Sequence, residues 1–169
     1  RHIGDWASPP PNGGIGAGAS GSMGAVNLEG EALLSARAGY YGLINHLDDQ
    51  IRRLLSNLTS GLDLDNTIVL YTSDHGEMLG DHYMWKKSMP YEGSARVPFM
   101  VRLPRRLDCP AGQVLDYPVC LEDIMPTLLD LADIEIPDTV DGTSLGGILR
   151  GDPPPASRQL HLQCAPGGH

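Results

Sequence analysis

The chain has 169 residues, 41% of them hydrophobic, and a formal net charge of −9 at pH 7. That length and apolar content suit one folded domain with a real core, while the acidic balance argues against a nucleic-acid backbone or an anionic membrane as partner, because both would repel it. No run of about 18 apolar residues occurs, so no membrane span is expected, and Cys109, Cys120 and Cys164 have neither CxxC spacing nor disulfide density and read as buried or incidental thiols.

The sequence begins at Arg1 with no initiator Met and no basic-then-apolar leader, which reads as a start inside a longer frame and leaves localisation open. Residues 1–28 form a Pro/Gly/Ser/Ala-rich loop. Its formal GxGxxG at Gly16, Gly18 and Gly21 has no strand before it and no βαβ unit around it, so a dinucleotide site is not expected there. From about Glu29 to Leu58, the residues Leu33, Tyr40, Ile44, Leu47, Ile51, Leu54 and Leu58 recur at spacings of three, four or seven, the stripe of a long amphipathic helix. Asp48 and Asp49 stand one turn before Arg52 and Arg53, as a salt-bridged solvent face requires. Gly61 and "DLDN" then turn the chain.

"TIVLYTS" (67–73) reads as a strand buried on both faces, and "RVPFMVRLP" (96–104) as a second, with Pro98 near its start. "VLDYPV" (114–119) is a weaker third. "EDIMPTLLDLADI" predicts a short helix with Asp123 as N-cap and Pro126 in the first turn, and "RQLHLQC" near the end reads as a further strand. Helices alternating with apolar strands indicate an α/β layer architecture, incomplete at both ends.

In open α/β sheets, ligand sites form beyond the carboxyl ends of the strands. Asp74 and His75 stand there. An adjacent carboxylate and imidazole can supply two ligands to one divalent cation, with Gly76 allowing a tight turn beside them. Asp74 with Glu77 three residues later also matches a D-x-x-E helix-capping pattern, which needs no metal. The dipeptide alone leaves both readings open.

The longer stretch "TSDHGEMLGDHYMWKKSMPYEGSARVPFMV", residues 72–101, resembles the segment of the sulfatase family, in the alkaline phosphatase superfamily, that reads TSDHGE-x-LG-x-H-x-x-W-x-K-x-x-x-YE-x-x-x-RVP. "IGDWA" (3–7), "YYGLINHLDDQI" (40–51), "DIMPTLLDLADIEIP" (123–137) and "DGTSL" (141–145) are similar to other family segments, in the family's order. The resemblance implies that residues 29–169 are the C-terminal half of a sulfatase-like catalytic domain, part of a three-layer alkaline-phosphatase-like sheet flanked by helices. It implies a sulfuric ester hydrolase acting on a sulfate-ester substrate. Asp74 and His75 would be the downstream pair of ligands to a divalent metal, calcium in most sulfatases and manganese or magnesium in some relatives. Lys87 would contact the sulfate oxygens, where an ammonium neutralises charge as the ester oxygen departs. Glu77 is then a capping or supporting residue. His82 either supports the loop by hydrogen bonding or lies near the leaving group. Met78, Trp85 and Tyr91 are expected to pack around the site, and Glu92 and Arg96 to pair beneath the loop.

Sulfatases act through a formylglycine made from a C/S-x-P-x-R motif. "CPAGQ" at Cys109 lacks the spacing, and "CAPGG" at Cys164 has glycine where the Arg should follow. The nucleophile is therefore expected upstream, with a first pair of Asp ligands, and this chain alone is expected to be inactive because such groups act as a unit. Two alternatives stand beside this reading: a phosphonate monoester or phosphodiester hydrolase of the same superfamily, and a catalytically silent α/β module that self-associates through an exposed sheet edge.

Overall fold

A computed structural model describes residues 28–59, 64–87 and 89–162. The Gly-rich segment with its GxGxxG, Gly61 and Cys164 lie outside these residues. The described chain divides into two compact units, one built from residues 28–59, 71–87 and 89–100 and the other from 64–70 and 101–162.

The first unit opens with α1, Gly30–Thr59, as the apolar rhythm predicts. Its charged face is laced locally: Arg52 pairs with Asp49 at 2.6 Å, three residues away, and Arg53 donates to Gln50 at 3.2 Å. The apolar stripe is less covered than the spacing suggests. Ile44, Leu47 and Leu54 are 44%, 50% and 57% exposed, so only part of the helix obtains the burial that ordinarily stabilises an amphipathic helix.

Strands β1, Val69–Thr72, and β2, Phe99–Arg102, pair in a two-stranded sheet. The expectation that β1 is buried on both faces is not met, since all four of its residues are half-buried. A sheet this narrow cannot enclose a strand. β2 alternates instead, Phe99 and Val101 half-buried and Met100 and Arg102 exposed, which is the two-residue period of a one-sided sheet. Between the strands, residues 73–87 and 89–91 belong to the loop that carries the site, followed by the one-turn helix α2, Glu92–Ala95.

In the second unit, α3, Ile124–Leu131, follows a 3₁₀ turn at Leu121–Asp123, with Pro126 in its first turn as expected. It packs on the short α4, Gly146–Leu149. Leu131 and Leu145 are buried, and the buried Thr127 hydroxyl accepts the Leu145 amide at 2.9 Å. Asp123 precedes α3 but its side chain does not cap it. The carboxylate, fully buried, accepts the backbone amides of Cys120 (2.9 Å) and Thr143 (2.8 Å) and both terminal nitrogens of Arg158 (2.5 and 2.7 Å). Burial raises the Asp123 pKa, but the Arg158 bonds and the two amides outweigh it and hold the group down to about 2. The neighbouring Cys120 thiol is pushed up to about 11, first by burial and then by its bonds to Asp123 and Glu122. Cys109 and Cys120 are free thiols, each half-buried.

Among the described residues, two predicted strands do not form. Residues 114–119 are irregular, because Val114 is 97% exposed and Pro118 offers no N–H to a ladder. Residues 158–162 are irregular too, with Leu162 exposed, while Arg158 is held to Asp123 rather than placed in a sheet.

Candidate active site at the end of the first strand

Where β1 ends, the backbone is locked by its own side chains. Ser73 Oγ donates to the His75 carbonyl at 2.8 Å, and Asp74 Oδ1 accepts the His75 amide at 3.0 Å. The Gly76 amide donates to the Ser94 carbonyl at 2.8 Å. A Cβ at Gly76 would lie inside van der Waals contact with the Gly93 carbonyl oxygen, so the close approach of this loop to α2 requires glycine. No helix begins at Asp74. Residues 75–78 are irregular, which corrects the capping interpretation of Asp74 and Glu77.

Three groups converge here. Asp74 Oδ2 lies 3.4 Å from His75 Nε2, and Lys87 Nζ lies 2.6 Å from that same nitrogen. His75 Nδ1 is 2.8 Å from the Gly76 carbonyl, which can only accept. The proton therefore sits on Nδ1 and the Nε2 lone pair faces Asp74 and Lys87, the tautomer that a metal-ligating imidazole adopts when its other nitrogen is held by a backbone carbonyl. Asp74 is 82% exposed and His75 36%.

Glu77 holds the far side of the loop. Its Oε1 accepts the backbone amides of Leu79, at 3.4 Å, and of Lys86. The Met78 amide donates to the Lys86 carbonyl and the Gly80 amide to the Met84 carbonyl, both at 2.8 Å. Residues 77–86 thus close into a hairpin-like turn whose exit delivers Lys87 to His75. The turn is unusually contorted, with positive φ at Leu79 (49°), Gly80 (89°), His82 (54°), Tyr83 (58°) and Lys86 (71°). Such strain persists only where surrounding contacts over-determine it. Arg37 of α1 provides some of them, Nε donating to the Leu79 carbonyl at 2.8 Å and a terminal nitrogen to Asp81 at 3.0 Å.

His82 stacks on Tyr91, with ring centroids 4.3 Å apart. Met78 is buried, as the packing role predicted requires, and Trp85 faces Gly80. Glu92 and Arg96 do pair, at 3.4 Å, but with both side chains more than 80% exposed they form a surface contact and not a buried one. Sequence reasoning overlooked Arg37. A signal existed, since Arg37 interrupts the apolar stripe of α1 between Leu33 and Tyr40, a place where a cation needs a partner.

The donor set can be tested against a divalent cation. Ligands at about 2.3 Å and roughly a right angle stand near 3.3 Å apart, so the 3.4 Å between Asp74 Oδ2 and His75 Nε2 fits two adjacent positions on one ion. Among the described residues no three His, Cys, Asp or Glu side chains converge. Asp74 and His75 thus offer two candidate donors at this strand end.

The sulfatase family matches residues 8–134. The chain belongs to the sulfatase family. It is 47% identical over 148 residues to an arylsulfatase of Clostridium perfringens, covering 87% of this chain and 30% of that protein. It is 35% identical over 131 residues to an N-acetylglucosamine-6-O-sulfatase of Bacteroides thetaiotaomicron, covering 75% and 23%. Among solved structures it is similar to a phosphonate monoester hydrolase from Silicibacter pomeroyi, with TM-score 0.70 and 38% identity over 79% of this chain and 26% of that one. A second, with D-glucosamine-2-N,6-O-disulfate bound as substrate, has TM-score 0.65 and 34% identity over 78% and 28%. The chain carries part of the α/β fold of alkaline-phosphatase-like sulfatases, and spans under a third of the length of these relatives. The family acts on sulfate esters and implies a divalent metal and a formylglycine. No helix among the described residues is long and apolar enough to cross a membrane.

Proposed function

We propose that Asp74, His75 and Lys87 form one wall of a sulfate-ester hydrolysis site, in residues that correspond to the C-terminal half of a sulfatase catalytic domain. The carrying observation is their convergence, with Asp74 Oδ2 and Lys87 Nζ both turned to the His75 Nε2 lone pair. Asp74 Oδ2 and His75 Nε2 would hold the metal, with calcium favoured by a carboxylate and an exposed, water-rich position, and manganese accepted through the imidazole. Such an ion, when bound, supplies charge that polarises an ester oxyanion.

Lys87 does the rest of this wall's work. Its ammonium stands one hydrogen bond from the metal-binding nitrogen, so it can bind the sulfate oxygens and neutralise the charge that grows on them as the ester bond breaks. His75 keeps its orientation through Nδ1 and the Gly76 carbonyl. Glu77 and His82 support the loop, His82 through Tyr91. The nucleophile, expected as a formylglycine, belongs to a C/S-x-P-x-R motif that this sequence does not contain.

A phosphonate monoester hydrolase is the second reading, favoured by two solved relatives of that activity at TM-score 0.70. The same Asp, His and Lys serve either tetrahedral ester.

Titration with Mn²⁺ tests the wall directly. Paramagnetic broadening of amide resonances should centre on Ser73–Gly76, and Asp74→Ala or His75→Ala should abolish it. Broadening centred elsewhere, or unchanged in both variants, would contradict the assignment.

A further inference from the structure

The ten-residue path from Glu77 to Lys86 ends one residue short of the lysine that the proposed site depends on. The chain leaves Glu77 and passes through four non-glycine residues with positive φ: Leu79, His82, Tyr83 and Lys86. Each is a backbone state that L side chains rarely adopt. Lys86, with φ 71°, is the residue whose conformation sets the direction in which the chain enters Lys87. Its carbonyl accepts the Met78 amide at 2.8 Å, and its amide is donated to Glu77 Oε1. The same oxygen accepts the Leu79 amide at 3.4 Å, the first residue of the contorted turn. One carboxylate oxygen thus binds both ends of the turn.

We propose that Glu77 is a positioning residue for Lys87: its Oε1, bridging the Leu79 and Lys86 amides, fixes the left-handed conformation of Lys86 and so holds Lys87 Nζ against His75 Nε2. Glu77 touches neither substrate nor metal in this role. It acts as an acceptor, not as a base or a ligand, and the property required is one oxygen at the end of a two-methylene stem. The inference rests on the reading of Lys87 as the sulfate-contacting group, but its geometric content, that Glu77 sets the Lys87–His75 contact, stands apart from what Lys87 binds.

The chemistry predicts an unusual ranking of substitutions. Glu77→Gln keeps an oxygen at the same reach and loses the charge. Glu77→Asp keeps the charge and withdraws the oxygen by one methylene. If the acceptor geometry matters, Gln rescues and Asp does not, the reverse of what a charge-based role would give.

The test uses ¹⁵N NMR of the whole chain at fixed pH, comparing wild type with Glu77→Gln, Glu77→Asp, Glu77→Ala and, as reference, Lys87→Met. Three quantities are read: the His75 Nε2 resonance, which reports the hydrogen bond from Lys87; amide exchange at Leu79 and Lys86; and amide exchange in α1 as a fold control. Expected are a Lys87→Met-like His75 spectrum in Glu77→Asp and Glu77→Ala, with Lys86 exchange about tenfold faster or more and α1 unchanged, and wild-type values in Glu77→Gln. Should Glu77→Ala fail to fold, the Asp and Gln variants decide between them. A wild-type His75 resonance in Glu77→Asp, or loss of the contact in Glu77→Gln, overturns the proposal. A parallel titration with inorganic sulfate, read at Lys87, keeps the two ideas separate. Silence of wild-type Lys87 toward sulfate would count against the sulfate reading alone, while the His75 signal still decides the role of Glu77.

Discussion

Lys87 Nζ and His75 Nε2 lie 2.6 Å apart, an ammonium donating into the lone pair of an imidazole whose other nitrogen is fixed by the Gly76 carbonyl. Two groups that would face a metal and an oxyanion thus hold each other, and the same contact supplies a reporter for both. Lys87→Met should leave metal-induced broadening at Asp74 and His75 intact, or strengthen it by removing a competing donor and a nearby positive charge. It should also abolish any response to sulfate. A loss of metal broadening in Lys87→Met would show that the lysine is structural.

Gly76 is where the loop meets α2. Gly76→Ala places a methyl group against the Gly93 carbonyl, and backbone cannot yield as a side-chain tip can. A cost of about 1–3 kcal/mol is expected from such overpacking, read as a lower midpoint in urea unfolding, together with loss of Mn²⁺ broadening. A variant of wild-type stability with unchanged metal response would show that the loop moves freely.

Arg37 clamps the turn from α1 through the Leu79 carbonyl and Asp81. The pair with Asp81 is half-exposed and contributes little by itself, on the order of 0.5 kcal/mol. The bond to a backbone carbonyl is the larger part, about 1 kcal/mol. Arg37→Ala should therefore speed amide exchange across residues 79–84 more than across α1, and Arg37→Lys should only partly restore it, because an ammonium cannot reproduce the two-point fork. Uniform change over the whole chain would contradict a local clamp.

The second unit contains a pH-sensitive contact. Asp123 has its pKa lowered from 3.8 to about 2 by Arg158 and two backbone amides against the opposing effect of burial. A depressed folded pKa means stability that is fully present above the unfolded value and lost as pH falls through the folded one, so the window runs from about pH 4 down to about pH 2. The shift corresponds to roughly 2 kcal/mol. Arg158→Met should cost more than this, about 3–5 kcal/mol, since it leaves a buried carboxylate unpaired. Thermal unfolding across that pH range checks both, and a flat profile in wild type would remove Asp123 as the source.

The sequence was most legible where chemistry and backbone agree. The stripe from Leu33 to Leu58 gave α1 to within a residue or two, and Pro126 marked the first turn of α3, because helix periodicity and proline geometry are local properties. "VLDYPV" misled because alternation alone cannot tell a strand from a loop when no neighbour supplies hydrogen bonds. The same limit explains β1, whose apolar run is as hydrophobic as that of a fully enclosed strand yet is only half-buried here. At the site, Asp74, His75 and Lys87 were readable from motif spacing and the structure brings them together. The Glu92–Arg96 pair was readable too, but its exposure was not. What stayed hidden was the wiring: Arg37 to the Leu79 carbonyl, Glu77 to two amides, and Asp123 to Arg158 across 35 residues. Those contacts depend on backbone conformations at positive φ and on long-range approach, neither of which a residue pattern encodes.

The most direct measurement is anomalous diffraction from crystals grown with millimolar Mn²⁺ and inorganic sulfate. The expected result is a manganese peak bonded to Asp74 Oδ2 and His75 Nε2, with Lys87 Nζ released from His75 and hydrogen-bonded to a sulfate oxygen. Manganese bound elsewhere, or sulfate seated away from Lys87 while its contact with His75 persists, would contradict the assignment of this wall.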